Sequence, residues 1–322
     1  MLINFAKHLL DINLWLNQLY IADVELFRII FQYPLVNYEF VFKFARENGK
    51  ILYKENSGVF QIIVEKGKNM CLILFAYKVH SQYPLIVVAN RDEFFNRKTA
   101  SVHYWEDEPE ILAGRDLEKM GTWMGVTKNG RFAALTNYRD PSEDVSGKRS
   151  MGELVAKALI DKESIVDYVK TVQSEADKYP GFNLIVGDKD SLYYFSNKEG
   201  KIRKLVPGIY GLSNHLLNTP WPKVEVGMER LRQLIEKDAI KPIENLFTLL
   251  LNTETYSDDR LPKTGVPIEM ERMLSPLFIK SANYGTRSST VMLMSKNQVQ
   301  YVEKIYQPER KKAKQFQFYY GK

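Results

Sequence analysis

The chain has 322 residues, 45% of them hydrophobic and 26% charged, with a formal charge of +6. That balance is globular material for one large domain or two modest ones, and it excludes a disordered or fibrous chain. The positive charge is interspersed with acidic residues except at Arg310, Lys311, Lys312 and Lys314, a cluster without a groove-like aromatic context that reads as a solvated tail, so no nucleic-acid partner is expected.

Residues 1–69 differ in character from the rest. They are crowded with Phe, Ile, Tyr, Leu, Asn and Lys, the residues that AT-rich codons specify, and no Gly appears before Gly49 although the whole chain holds 18. Glu65, Lys66, Gly67, Lys68 and Asn69 have purine-rich codons, and Lys66-Gly67 can contain a ribosome-binding sequence just upstream of the Met70 codon. Residues 1–69 are therefore expected to be an extension produced by a start codon placed too early, or a propeptide. The competing reading is an amphipathic helix over Ala6–Phe31, with Leu9, Ile12, Leu16 and Leu19 at helical spacing, docked on the main domain.

From Met70 the pattern changes to short strands. The apolar runs Cys71–Tyr77 and Leu85–Ala89 read as buried strands. Trp123–Val126 and Arg131–Thr136 flank Lys128-Asn129-Gly130, and Asn-Gly between two such runs predicts a hairpin. Helices are expected at Met151–Ile160 and from Ser164 to about Ala176, then strands at Phe182–Val186, Leu192–Phe195 and Ile209–Leu212. Pro222 opens a helix with Val224, Met228, Leu231 and Ile235 on one stripe, and a second helix runs through Leu246–Leu251. Strands at Thr286–Met294 and Val299–Ile305 close the chain. Many strands with helices in pairs predict an α+β layered sandwich with helices covering stacked sheets.

Chemistry-bearing residues are few. Cys71 is the single cysteine, which excludes an intramolecular disulfide and a cysteine-based metal cluster and fits a reducing cytoplasm. The histidines, at positions 8, 80, 103 and 215, show no HxxxH or HExxH spacing, against a zinc hydrolase. No apolar run approaches the roughly 18 residues of a membrane span, and the N-terminus lacks a basic start followed by an uninterrupted apolar stretch, so a cytoplasmic protein without a membrane span is expected. If translation begins at Met70, its removal leaves Cys71 first, with thiol and α-amine on one residue. With pKa values of roughly 8.5 and 8, the amine can take the thiol proton near neutral pH. The competing reading is that Cys71 is a small buried apolar residue in CLILFAY.

Asn90-Arg91-Asp92-Glu93 reproduces the tetrapeptide that names the NRDE family, the transport and Golgi organisation protein 2 family. Further blocks resemble that family in order: Met70-Cys71-Leu72-Ile73, Ala113-Gly114-Arg115-Asp116, Gly121-Thr122-Trp123-Met124-Gly125-Val126, Leu135-Thr136-Asn137-Tyr138-Arg139, Gly181-Phe182-Asn183-Leu184, Gly211-Leu212-Ser213-Asn214, Pro220-Trp221-Pro222-Lys223 and Tyr284-Gly285-Thr286-Arg287-Ser288-Ser289-Thr290. The resemblance covers residues 70–310 and implies a four-layer αββα sandwich of Ntn-hydrolase type, distantly similar to choloylglycine hydrolase and penicillin V acylase. Residues 70–322 are then one domain.

Carried over from that branch, the catalytic roles fall on Cys71 as nucleophile, Asp92 orienting its amine, Asn137 donating to an oxyanion, Asn214 holding the amine or the leaving group, and Arg287 stabilising a thiolate. Asn90, Arg91, Glu93, Arg115, Trp123 and Tyr284 belong to the motifs as substrate-binding or structural residues. The reaction implied is hydrolysis of a linear amide or acyl bond of a small molecule, with no cofactor. Each residue has a plainer reading: Asn137 and Asn214 as strand terminators or Asx-turns, Arg91 and Glu93 as an ion-paired scaffold, Trp123 and Trp221 as packing. The family is also implicated in haem or lipid metabolism, which implies an alternative: a non-enzymatic binding or trafficking protein, with haem near His103 or His215.

Overall fold

Alternation along the apolar strands decides how the domain is layered. The computed structural model describes residues 43–45, 50–52, 70–307 and 312–320. The chain divides into two units, Met1–Lys66 and Gly67–Lys322. Within the first, the described residues form an antiparallel pair, β1 (Lys43–Ala45) and β2 (Lys50–Leu52). The helix expected over Ala6–Phe31 lies outside the described residues.

The second unit holds two wholly antiparallel sheets. One has six strands in the order β12-β3-β4-β13-β14-β15: β3 (Met70–Tyr77), β4 (Leu85–Phe94), β12 (Gly208–Leu212), β13 (Tyr284–Met294), β14 (Gln298–Ile305) and β15 (Lys312–Tyr319). The other has seven in the order β11-β10-β9-β8-β7-β6-β5: β5 (Thr99–Tyr104), β6 (Ile111–Asp116), β7 (Met124–Thr127), β8 (Phe132–Asn137), β9 (Phe182–Gly187), β10 (Leu192–Ser196) and β11 (Ile202–Lys204).

Odd positions of β3 and β4, such as Ile73, Phe75, Tyr77 and Val87, pack with Val102, Leu112, Met124 and Tyr194 of the facing sheet. Even positions, such as Leu72, Leu74, Ile86 and Val88, meet Val224, Leu231, Leu246 and Phe247 of α3 (Pro222–Glu236) and α4 (Glu244–Leu250). The outer face of the seven-stranded sheet packs α1 (Gly152–Ile160) and α2 (Ile165–Ser174) through Ala133, Leu135, Leu154 and Val169. Side chains pointing alternately to the two faces of each strand thus build three apolar layers between four structural ones. The αββα sandwich expected from the sequence is the fold. Fully burying each Leu, Ile, Val or Phe in these layers contributes about 1.5–3 kcal/mol.

Several elements differ from the sequence reading. The NRDE tetrapeptide lies inside β4, which runs to Phe94. Its polar residues stay in strand because β3 and β13 pair on either side, with Met70 and Thr286 both opposite Asp92. The basic C-terminal cluster is not a solvated tail throughout: Lys312 and Lys314 belong to β15, and Lys314 Nζ donates to the Val102 carbonyl at 3.2 Å. Phe316 and Phe318, alternating inward to meet Tyr104 edge-on, hold that strand down. Strands β5, β6 and β11 and the short helix α5 (Ile268–Leu274) had no clear periodic signal. Among the described residues no helix is long and apolar enough to cross a membrane.

Candidate active site

Cys71 sits at the second position of β3, directly opposite Arg91 of β4, and Met70 sits opposite Asp92. By alternation Cys71, Arg91 and Glu93 share the face between the sheets, whereas Asn90 and Asp92 face the helical layer. Cys71 is buried, at 3% exposure. Burial, and after it the Asp92 charge, push its thiol up to about 12, while Arg91 and the main-chain N–H of Asp92 oppose the rise. With the chain continuous through Met70 the thiol is therefore protonated at neutral pH.

Asp92 is 1% exposed. Its Oδ1 accepts the Thr286 hydroxyl at 2.6 Å, and its Oδ2 is buried without a hydrogen-bond partner. Desolvation raises its carboxyl to about 7, against the favourable charge of Lys223, the Thr286 bond and Arg91. Lys223 lies in the first turn of α3 and is also buried. Its ammonium donates to the Leu274 carbonyl at 3.0 Å. Burial, then Arg139, bring its pKa down to about 8, with Asp92, Cys71 and Glu271 acting in the other direction. Arg139 pairs with Glu271 at 2.7 Å, both almost fully buried, and its guanidinium lies 4.8 Å from the Trp221 ring. Glu271 in turn accepts from the Thr264 amide and hydroxyl. Two acids and two bases are thus enclosed behind the start of β3.

On the other side of Cys71 a buried chain of hydrogen bonds crosses between the sheets. Tyr194 donates to Asn183 Oδ1 at 2.8 Å, Asn183 Nδ2 to Thr136 Oγ1 at 3.2 Å, and Thr136 Oγ1 to the Ser213 carbonyl at 2.6 Å. The Ser213 hydroxyl lies 3.2 Å from the Cys71 carbonyl and the same distance from Asn214 Oδ1. Asn214 Nδ2 donates to the Asn137 carbonyl at 3.2 Å, and the Asn214 carbonyl accepts from the Arg139 amide at 2.7 Å. Asn137 and Asn214, ends of different sheets, are therefore tied together beside Cys71.

The remaining motif residues divide. Arg287 occupies the bulge of β13 between Thr286 and Ser288, and its Nη1 donates to the carbonyls of Phe94 and Arg97 at 3.0 and 2.6 Å. Desolvation, with Arg91 next, lowers it to about 10. Arg91 is the cation whose charge lowers the Cys71 thiol. Arg91 and Glu93 form an ion pair at 3.4 Å, with Arg97 3.5 Å from the same carboxylate. Asn90 fastens the helical layer: Nδ2 donates to the carbonyls of Leu250 and Leu277, and Oδ1 accepts from Ser289. Tyr284 is buried edge-on to Phe94 at 5.0 Å. Trp123 packs against the inter-sheet core. Arg115, on β6, is tied to Asp107 through two bonds of 2.7 and 2.8 Å and stacks over Trp105, just past the end of β5.

His215 has both ring nitrogens engaged, Nε2 with Tyr138 at 2.7 Å and Nδ1 with Thr219 at 2.8 Å, and His103 Nδ1 meets the Ser101 carbonyl. Among the described residues no group of three or more His, Cys, Asp or Glu could hold a metal ion. Lys223 and Glu271 carried no role in the sequence reading. The signal was present for Lys223: at spacing of four with Gly227 and Leu231, it falls on the buried face of α3.

Residues 70–308 match the family described as Transport and Golgi organisation 2. The Transport and Golgi organization 2 homolog of Mus musculus is 34% identical over 248 residues, covering 71% of this chain and 90% of the mouse protein. Among solved structures, a Caenorhabditis elegans N-acylethanolamine-hydrolyzing acid amidase ortholog aligns with TM-score 0.41 and 11% identity, over 69% of this chain and 92% of that one. A mutant conjugated bile acid hydrolase from Clostridium perfringens aligns with TM-score 0.43 and 12% identity, over 79% of this chain and 97% of its own.

Proposed function

The chain belongs to the Transport and Golgi organisation 2 family, and from that premise we propose that it is an N-terminal-cysteine hydrolase of linear amide or acyl bonds, with residue 71 first in the working protein. The observation that carries this reading is the buried Asp92 carboxylate opposite Met70, one oxygen satisfied by Thr286 and the other without a partner. A buried acceptor left unsatisfied costs about 1–3 kcal/mol. Removing residue 70 converts the nitrogen of Cys71 from an amide into an amine, a donor of the kind that oxygen lacks.

The chemistry then follows from the groups present. The α-amine takes the thiol proton, and Sγ forms a bond to the substrate carbonyl carbon while Arg91 favours the thiolate. The side-chain amide of Asn137, a residue whose main-chain carbonyl accepts from Asn214 Nδ2, donates to the developing oxyanion. The C–N or C–O bond breaks, the leaving group taking the proton from the α-ammonium. Water then adds to the thioester, releasing the acid and returning the proton to sulfur.

In this reading Cys71 with residues 1–70 attached is inert, in keeping with a thiol held up at about 12. The test compares wild type with Cys71→Ala in an untargeted screen of amide and acyl-ester hydrolysis, with intact mass recorded on the same samples. Activity that disappears in Cys71→Ala supports the assignment. Equal activity in both removes it.

A further inference from the structure

Four strands lie at the sheet edges of the domain: β5, β11, β12 and β15. An edge presents a row of unpaired main-chain N–H and C=O groups, and folds blunt such rows with short strands, bulges or covering groups. Three of the four are blunted. Strand β11 has three residues. Strand β5 shifts register between Ala100 and His103, and there the Val102 N–H donates to Glu303 Oε2 at 2.8 Å while its carbonyl accepts from Lys314 Nζ at 3.2 Å. Strand β12 is covered at Gly211, whose N–H donates to Asn218 Oδ1 at 2.9 Å and whose carbonyl accepts the Asn218 N–H at 2.8 Å.

Strand β15 has none of these devices. It runs eight residues in unbroken register with β14. Just past its end, Tyr320 donates its N–H to the Asn297 carbonyl at 2.8 Å in that same register. Hydrogen-bonded pairs alternate along an antiparallel ladder, so Lys312, Lys314, Phe316 and Phe318 spend their main-chain groups on β14. Ala313, Gln315, Gln317 and Tyr319 direct theirs away from the sheet, and all four residues are exposed. No described residue bonds to those outward main-chain groups. None of the four carries a charge, and of the two lysines beside them Lys314 is drawn inward to the Val102 carbonyl.

We propose that this edge is an interface with a second copy of the chain, two β15 strands pairing antiparallel about a two-fold axis at Phe316 so that the six-stranded sheets of both copies become one. A two-fold contact must be self-complementary, and β15 is. In this register Gln315 of one copy meets Gln317 of the other, Ala313 meets Tyr319, and Lys314 meets Phe318. Every outward main-chain group of both strands is then used. Phe316 meets its own copy in a close, non-hydrogen-bonded pair, where aromatic neighbours add to the stability of a sheet. Charge sets the register: centring on Lys314 would put that lysine against itself, and centring on Ala313 would put it against Lys312. The contact requires no catalytic activity.

Sedimentation equilibrium of the full-length chain, read together with thermal unfolding, tests this. Wild type is expected to reach the mass of two chains as concentration rises. Gln317→Pro removes a donor that β14 does not use, so the fold is kept and the mass is expected to fall to that of one chain. Gln315→Lys combined with Gln317→Lys sets like charges opposite each other and is expected to be monomeric too, a second variant should the proline one not fold. Gln315→Lys combined with Gln317→Glu sets opposite charges across the same pairs and is expected to restore the dimer. A wild type that is monomeric at every soluble concentration overturns the interface and leaves the edge to residues 1–69 or to an extended peptide of another protein. A dimer that survives the lysine pair overturns it equally, because the contact then lies elsewhere. Failure of the charge swap to restore the dimer overturns the axis at Phe316.

Discussion

Thr286 and Asp92, neighbours across β13 and β4, are joined in the buried cluster behind Cys71 by a 2.6 Å hydrogen bond from the Thr286 hydroxyl to Asp92 Oδ1. The same hydroxyl accepts from the Ile279 amide at 2.9 Å, so one side chain ties the carboxylate to the loop that precedes β13. Thr286→Val keeps the shape and removes both bonds. We expect a loss of about 1–3 kcal/mol in denaturant unfolding. The Asp92 carboxyl would move further up, since the Thr286 bond lowers it.

Gly285, the residue before it, has φ +156°, and a Cβ there would fall 2.5 Å from the Ile279 carbonyl oxygen. Gly285→Ala must push that loop away or distort β13. The expected cost is more than about 1 kcal/mol, read from the denaturation midpoint at unchanged slope.

Arg139 and Glu271 are a buried pair with additional hydrogen bonds from Thr264. Removing one partner strands the other charge in a low-dielectric setting, so Arg139→Met or Glu271→Gln is expected to cost about 3–5 kcal/mol. The double variant should lose less than the sum of the two. Additive losses in a double-mutant cycle would show that the pair is not coupled.

Stability should also carry the signature of Asp92. Its carboxyl titrates higher in the fold, about 7, than in the unfolded chain, about 4. The fold therefore binds this proton more tightly. The contribution is fully present below about pH 4 and is lost as pH rises toward the folded value. Across that interval Asp92→Asn should show a flatter dependence of unfolding free energy on pH than wild type. Parallel curves would contradict the assignment.

Much of this was legible in the residues. Runs such as Leu85–Ala89, the Asn129-Gly130 turn and the apolar stripe after Pro222 are local signals, and each marks an element of the structure. The layered sandwich was read from the order of strands and paired helices and its four-layer form from family resemblance, whereas the bond between Asn137 and Asn214 was not legible, because 77 residues separate the two and no local pattern encodes that contact. Polar positions were harder. Asn90 looks like part of a functional tetrapeptide and instead holds the carbonyls of Leu250 and Leu277, at separations of 160 and 187 residues. Strand β15 carries Lys312 and Lys314, which composition assigns to solvent, yet Phe316 and Phe318 alternate inward and keep it on the sheet. Lys223 was hidden for a related reason: a lysine on a buried face shows its acceptor only when the Leu274 carbonyl, 51 positions later in the sequence, is folded against it.

The claim on which the mechanism depends is that Cys71 stands first in the working protein. Full-length protein is purified, its hydrolytic activity located by the screen, and the active fraction treated with substrate at low pH to trap an acyl group before intact-mass and N-terminal sequencing. The expected result is a sequence beginning at Cys71 and an acyl adduct confined to that residue. Active protein with residues preceding Cys71 still attached, or with the adduct elsewhere, would contradict it.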